Sequence, residues 1–352
     1  MAYSILETVT GFNTNVQKQF YAGSKTAVLK PAEKLFQPEF GTIKVREVAL
    51  TGGAANYDKS KGYDGAGGNV SVKWVTYTAD NDRYINLTAD AMDEYASYVQ
   101  GSKPSILVGF EQLINMGLAS EVDAVAMARA YACSTGAGNT LDTSKLKDGF
   151  FAGLIDIGNK LFEKGVDSER TIFGWIRSDV YAQGEKEIIE KNGLANGAVL
   201  KNVTLEIPTG IEDEKPLEVN TQVIKFNNFV LFKMPKERMS TEVTLLDGRT
   251  EGQEAGGFTA GSTKMSAVFI PDGAFFVDVR YQIANILFPA YVFETNTKAD
   301  IDEAIKKIVG DVRIENIGIN QKSNNYEINA RVIYDAHAFE VNADKILCFT
   351  EA

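Results

Sequence analysis

Residues 41–90 constrain this chain more than any other stretch. Two runs of strand-forming residues, TIKVREVAL at 42–50 and VSVKWVTYT at 70–78, flank the segment TGGAANYDKSKGYDGAGGN. That segment is glycine-rich and polar, with too little apolar surface to offset the entropy of ordering it. At roughly 3.3 Å per residue the flanking runs predict two strands of about 30 Å. A two-stranded ribbon is marginal on its own in water. It must lie on something, and a neighbouring copy of the same protein is the natural candidate. Alternation puts Val70, Val72 and Trp74 on one side of the second run and Ser71 and Lys73 on the other.

The rest of the composition narrows the chemistry. A chain of 352 residues, 44% hydrophobic, can bury one elaborate core or several smaller ones. A formal net charge of −11 disfavours an adhesive grip on nucleic acid, which needs clustered Lys and Arg. It suits a surface past which nucleic acid slides without sticking. Cys133 and Cys348 show neither zinc spacing nor a disulfide framework, so a reducing cytosol is the simplest compartment. The start, MAYSILETVTGF, lacks a basic region followed by an apolar one and is not expected to be a signal peptide. No apolar run is long enough to span a membrane.

No catalytic, cofactor or metal constellation emerges. Gly53 to Ser60 has the spacing of a phosphate-binding loop, but Asp58 stands where the second glycine belongs. A carboxylate there would repel the phosphate. The acid clusters Asp80/Asp82, Asp90/Asp93/Glu94 and Glu212/Asp213/Glu214 do not match a calcium loop. They read as solvated faces, with structural calcium at one of them the alternative. A single histidine, His337, lies in the alternating run ARVIYDAHAFEV and reads as a strand histidine rather than a catalytic base. The expectation is a non-enzyme without cofactors.

The chain divides into a 1–40 arm, the 41–90 ribbon, a 91–140 helical region, a 141–325 mixed region and closing strands at 326–352. The arm carries scattered apolar residues (Phe12, Val16, Phe20, Leu35, Phe36) with no clean period. It fits either a segment tied down by other subunits or a short amphipathic helix packed on its own chain. Residues 90–99 predict a short helix or turn. Residues 104–133 carry the strongest helical period, through Ile106, Leu107, Phe110, Leu113, Ile114, Leu118, Val122 and Val125. About 30 residues at 1.5 Å each make roughly 45 Å of helix. Gly109 and Gly117 would bend it or admit a close neighbour. Helices are expected at 146–164 and 179–191, and strands at 171–176, 199–207, 221–233, 243–246, 264–270, 274–279, 326–341 and 345–349. Residues 247–262 predict a mobile glycine-rich loop. An inserted helix is expected at 301–309. Helices early and antiparallel strands late make an α+β layout.

Four segments, taken in order, resemble major capsid proteins of tailed bacteriophages with the Hong Kong-type capsid fold. Trp74 to Thr78, followed by Asp82-Arg83-Tyr84 and then Asp90 to Asp93, looks like the return strand of that family's extended loop and its entry to the spine helix. Arg170 to Phe173 with Ser178 to Ala182 is similar to its strand–helix unit. Met234 to Met239 looks like its proline–arginine–methionine turn. Residues 265–288 and 326–349, with Tyr334-Asp-Ala-His337, look like its closing strands. The chain departs from the pattern in the longer stretch near 296–322. It also has no long helical segment before the arm, which implies that a fused scaffolding region is absent or removed.

The resemblance implies an N-terminal arm, an extended two-stranded loop, a peripheral domain with a long spine helix, and a mixed α/β axial domain. It further implies hexamers and pentamers of an icosahedral virion shell around double-stranded DNA, assembled in the bacterial host cytoplasm. Portal, scaffolding and decoration proteins are the implied partners besides the homo-oligomer, with no membrane. Lys59, Lys61, Tyr63, Trp74, Tyr77, Arg83 and Asp93 are the candidate inter-subunit contacts. Lys59 and Lys61 could join a covalent lysine–asparagine link of the kind some members form; solvated lysines are the plainer reading. An encapsulin-like shell around protein cargo, a tail-tube protein and a soluble enzyme are the competing readings.

Overall fold

Antiparallel ladders dominate the computed structural model, which describes residues 16, 18–30, 36–39, 41–51, 60, 69–90, 105–142, 146, 149–190, 199–207, 217–289, 312–323 and 325–350. The ribbon forms as its alternation requires. Strands β2 (Thr42–Thr51) and β3 (Asn69–Thr78) pair antiparallel over their full length, from Thr42 opposite Thr78 to Thr51 opposite Asn69. A strand the sequence did not suggest, β1 (Phe36–Glu39), adds to the outer side of β2. Its Pro38 sits on a sheet edge, where a missing N–H costs no ladder bond.

The chain then enters a five-stranded sheet. Strand β4 (Asn81–Ala89) pairs with β16 (Tyr326–Ala338), which pairs with β13 (Phe275–Phe288). The short strands β14 (Val312–Ile314) and β15 (Ile317–Ile319) run parallel to β13. Across this sheet lies one helical rod over residues 105–136. It comprises α1 (Ser105–Gln112), a π-helical turn (Leu113–Leu118) and α2 (Ala119–Gly136). Burial on nearly every side of α2, rather than along one stripe, makes it the centre of the larger core.

A seven-stranded sheet forms the second body. Its order is β5 (Thr140–Asp142), β17 (Leu347–Thr350), β12 (Met265–Pro271), β6 (Ile172–Arg177), β9 (Phe229–Met234), β8 (Leu217–Phe226) and β7 (Val199–Ile207). Helices α3 (Phe150–Glu163) and α4 (Ser178–Glu190) pack a separate core against it, through Phe150, Leu154, Leu161, Val180 and Tyr181. The molecule is α+β, as the element pattern required.

Several expectations are corrected. The run at 221–233 is not one strand but the hairpin β8–β9. It turns at Asn227, whose φ of 50° is left-handed, a conformation asparagine tolerates better than most residues. Residues 247–262 are not loop throughout, since 258–260 is a strand. That strand, β11 (Phe258–Ala260), pairs with β10 (Val243–Leu245), which precedes the loop. Asp247 accepts hydrogen bonds from Arg249 N (2.8 Å), Thr250 N (2.8 Å) and Thr250 Oγ1 (2.6 Å). The Thr250 contacts come first among the causes that hold its carboxyl down to about 2. Among the described residues no close neighbour meets Gly109 or Gly117: nothing lies within 4 Å of a methyl built at Gly109, and only Leu113 Cγ, at 3.9 Å, near Gly117. Within the arm, residues 16 and 18–23 are helical and bury Val16, Phe20 and Tyr21 against the same chain. The helices expected at 90–99 and 301–309 lie outside the described residues, as does most of the 296–322 stretch.

Candidate assembly surface

The ribbon has two unlike halves, and the pairing register shows why. Residues opposite each other share a face, so Ile43, Val45, Glu47, Lys73, Val75 and Tyr77 lie on one side. Near the root, that side packs on the body. Ile43 and Val45 bury against Phe276, and the Tyr77 ring meets Phe276 edge-on at 5.3 Å. Tyr77 also lies 5.1 Å from His337, which burial pushes below the ordinary imidazole range. Tyr77 donates to Glu47, and Glu340 N reaches the same carboxylate at 3.3 Å. Burial, then the Glu47 hydrogen bond, raise the phenol well above its ordinary value. Lys73 pairs with Glu340 beside them, and that hydrogen bond raises its ammonium.

Apart from Lys73, the described outer half of β3 is open. Residues 70–74 are all exposed, so both faces of β3 meet solvent there. Val48, Val72, Val70 and Trp74 lie on one face and are each about half exposed or more, Trp74 at 53% and Val70 at 60%. The four make an exposed apolar strip on the ribbon, the kind of surface that marks a contact site.

Three charged side chains of α2 fasten the ribbon and arm to the rod. Glu121 takes the Arg83 guanidinium at 2.8 Å and the Tyr334 hydroxyl at 2.5 Å, joining β4 and β16. Burial pushes its carboxyl up against the opposing pull of those two partners. Arg83 also donates to Leu246 O at 2.7 Å and Gly257 O at 3.1 Å, pinning the β10–β11 hairpin. Arg129 grips Asp335 at 3.0 and 3.1 Å and Asp80 at 2.9 Å, just past the ribbon's return. Asp123, at 0% exposure, accepts from Ser24 Oγ, Lys25 N, Thr26 N, Thr26 Oγ1 and Arg238 Nη1 at 2.7–3.1 Å. Arg238 also donates to Gly23 O at 3.0 Å, so the turn read in the sequence at Met234 to Met239 is what clamps the arm.

Of the candidate contacts, Trp74 is displayed on the open face. Tyr77 and Arg83 are engaged within their own chain, at the ribbon root and at Glu121. Lys59, Lys61, Tyr63 and Asp93 lie outside the described residues. Sequence reasoning missed Glu47, Asp123, Arg129 and Asp335. The available signal was Glu121 and Asp123 inside an otherwise apolar helical run, where a charge survives only if paired. Among the described residues no group of three His, Cys, Asp or Glu could hold a metal ion. Among the described residues no helix is long and apolar enough to cross a membrane.

No protein-family model matches the chain. No curated protein matches it. Solved structures do. The chain is similar to the virus-like particle from Pyrococcus furiosus at 10% identity and TM-score 0.45, over 97% of this chain and 98% of that one. It is similar to the capsid of Ralstonia phage GP4 at 11% identity and TM-score 0.46, over 93% and 86%. It is also similar to a chain of Mycobacterium phage Ogopogo at 13% identity and TM-score 0.44, over 94% and 92%.

Proposed function

We propose that this chain is a structural subunit that builds a closed shell, as hexamers and pentamers of an icosahedral phage head enclosing double-stranded DNA. The observation that supports it most is the ribbon. Its root is fastened to the body by buried packing, while among the described residues its outer half leaves Val48, Val70, Val72 and Trp74 about half exposed or more. Covering those half-exposed side chains contributes on the order of a few kcal/mol per ribbon. A heterologous contact of that kind propagates from copy to copy and closes into rings and shells. Many moderate contacts per subunit then make the closed set hard to reverse. The acid excess suits a container whose DNA must remain mobile.

Negative-stain microscopy of the expressed protein tests this reading. Hollow, uniform shells are expected. A preparation that stays monomeric at every concentration overturns it, and shells holding a protein cargo instead of nucleic acid would turn the reading towards a nanocompartment.

A further inference from the structure

Helix α3 has two apolar sides where a surface helix needs one. Phe150, Leu154, Ile157 and Leu161 face its own core. The opposite side repeats at helical spacing through Ala152, Ile155, Asp156, Asn159, Phe162 and Glu163, all exposed. Ile155 is 51% exposed and Phe162 64%, on one face and about two turns apart. Asp156 and Glu163 each stand one residue further round, so an acidic stripe runs beside the apolar one. Neither acid forms an ion pair among the described residues. Lys160, half-buried, borders the acids on the side away from Ile155.

The ribbon carries the counterpart. Its open face holds Val48, Val70, Val72 and Trp74 in the outer half, Arg46 directly opposite Trp74, and Lys44 next towards the root. Over Thr42–Val48 and Val70–Thr78 only threonines complete that face, because the one acid of those two segments, Glu47, lies on the other side. In a chain of net charge −11 a face with two cations and no acid is an exception. Arg46 is exposed and forms no ion pair among the described residues. Both surfaces therefore have the same plan with opposite sign: apolar side chains flanked by charge on one side only. A ribbon laid crosswise over α3 sets its apolar half on the apolar stripe and Arg46 over the acids. The ribbon's root is packed on Phe276, and its own chain leaves both surfaces exposed, so the partner that fits each is a second copy.

We propose that the open face of one copy's ribbon lies across the outer face of α3 in the next copy. Val72 and Trp74 cover Ile155 and Phe162, and the Arg46 guanidinium donates to the carboxylates of Asp156 and Glu163. The inference rests on the shell reading and adds the surface that receives the ribbon.

Charge reversal tests it in the full chain. The ribbon variant is Arg46→Glu; the helix variant is Asp156→Lys with Glu163→Lys; a third chain carries all three changes. The ribbon and helix variants are each expected to raise the protein concentration for half-maximal assembly at least about tenfold. The combined chain is expected to return to within about threefold of the wild type, because every reversed ribbon then meets a reversed helix on the next copy. Circular dichroism checks that each variant folds. A reversal that does not fold is replaced by its neutral form, Arg46→Gln or Asp156→Asn with Glu163→Gln, for which a rise of at least about threefold is expected. A folded variant that assembles as the wild type does, or a folded combined chain as defective as its parents, overturns the docking and leaves the shell reading standing. A wild-type protein that never associates overturns both.

Discussion

Asp123 shows how much a single side chain can decide. A carboxylate at 0% exposure survives only because five donors converge on it, four from the arm and one from Arg238. Truncation leaves Arg238 and the arm amides without their acceptor. Asp123→Ala is expected to lower stability by about 3–5 kcal/mol, read from urea unfolding followed by circular dichroism. A loss below about 1 kcal/mol would mean that water replaces the carboxylate and the clamp is not what holds the arm. The sequence reading passed over Asp123, although an acid inside an apolar helical run was signal enough to mark it. It could not name partners 97 to 115 positions away, because pairing across such separations depends on the fold.

At the scale of elements, the helical rod was legible because its apolar positions recur with the right period over many turns. The predicted 104–133 span and the observed 105–136 differ by no more than ordinary end fraying. The π-helical turn at Leu113–Leu118 was not legible, since one added residue per turn leaves no mark in composition. The arm packs on that turn. A methyl built on Gly23 would stand 2.2 Å from the Asn115 carbonyl oxygen and 3.0 Å from Ala119 Cβ. Backbone cannot yield as a flexible side-chain end does. Gly23→Ala is therefore expected to cost about 1–3 kcal/mol and to speed protease cleavage within residues 16–30. Unchanged cleavage kinetics would show that the arm is held elsewhere. The hairpin at Asn227 escaped the sequence reading for a related reason: an asparagine pair between two apolar strands breaks the alternation by so little that the runs merged.

For the whole molecule, the question is what the ribbon is for. Thr51 and Asn69 stand opposite each other at the last described pair, so residues 52–68 can be replaced by the two-residue turn Asn-Gly without altering the strands. The variant is expected to keep the thermal unfolding midpoint of the parent and to form no closed shells in negative stain. Retained shells would remove the ribbon tip from assembly. A lower midpoint would show that the tip supports its own subunit.

What the sequence determined by itself is periodicity and its consequences. Alternation made the ribbon, a helical period made the rod, and α+β order followed, because burial of apolar surface is patterned locally along the chain. What only the tertiary structure decided is which faces remain open and which charges are spent. Tyr77 and Trp74 sit three residues apart on the same strand, yet one is consumed at Glu47 and Phe276 while the other faces solvent. Their spacing puts them on opposite faces, which alternation along the strand gives; which of the two faces the body covers is decided only in space, because the surface that covers it comes from Phe276 and Glu340, far along the chain.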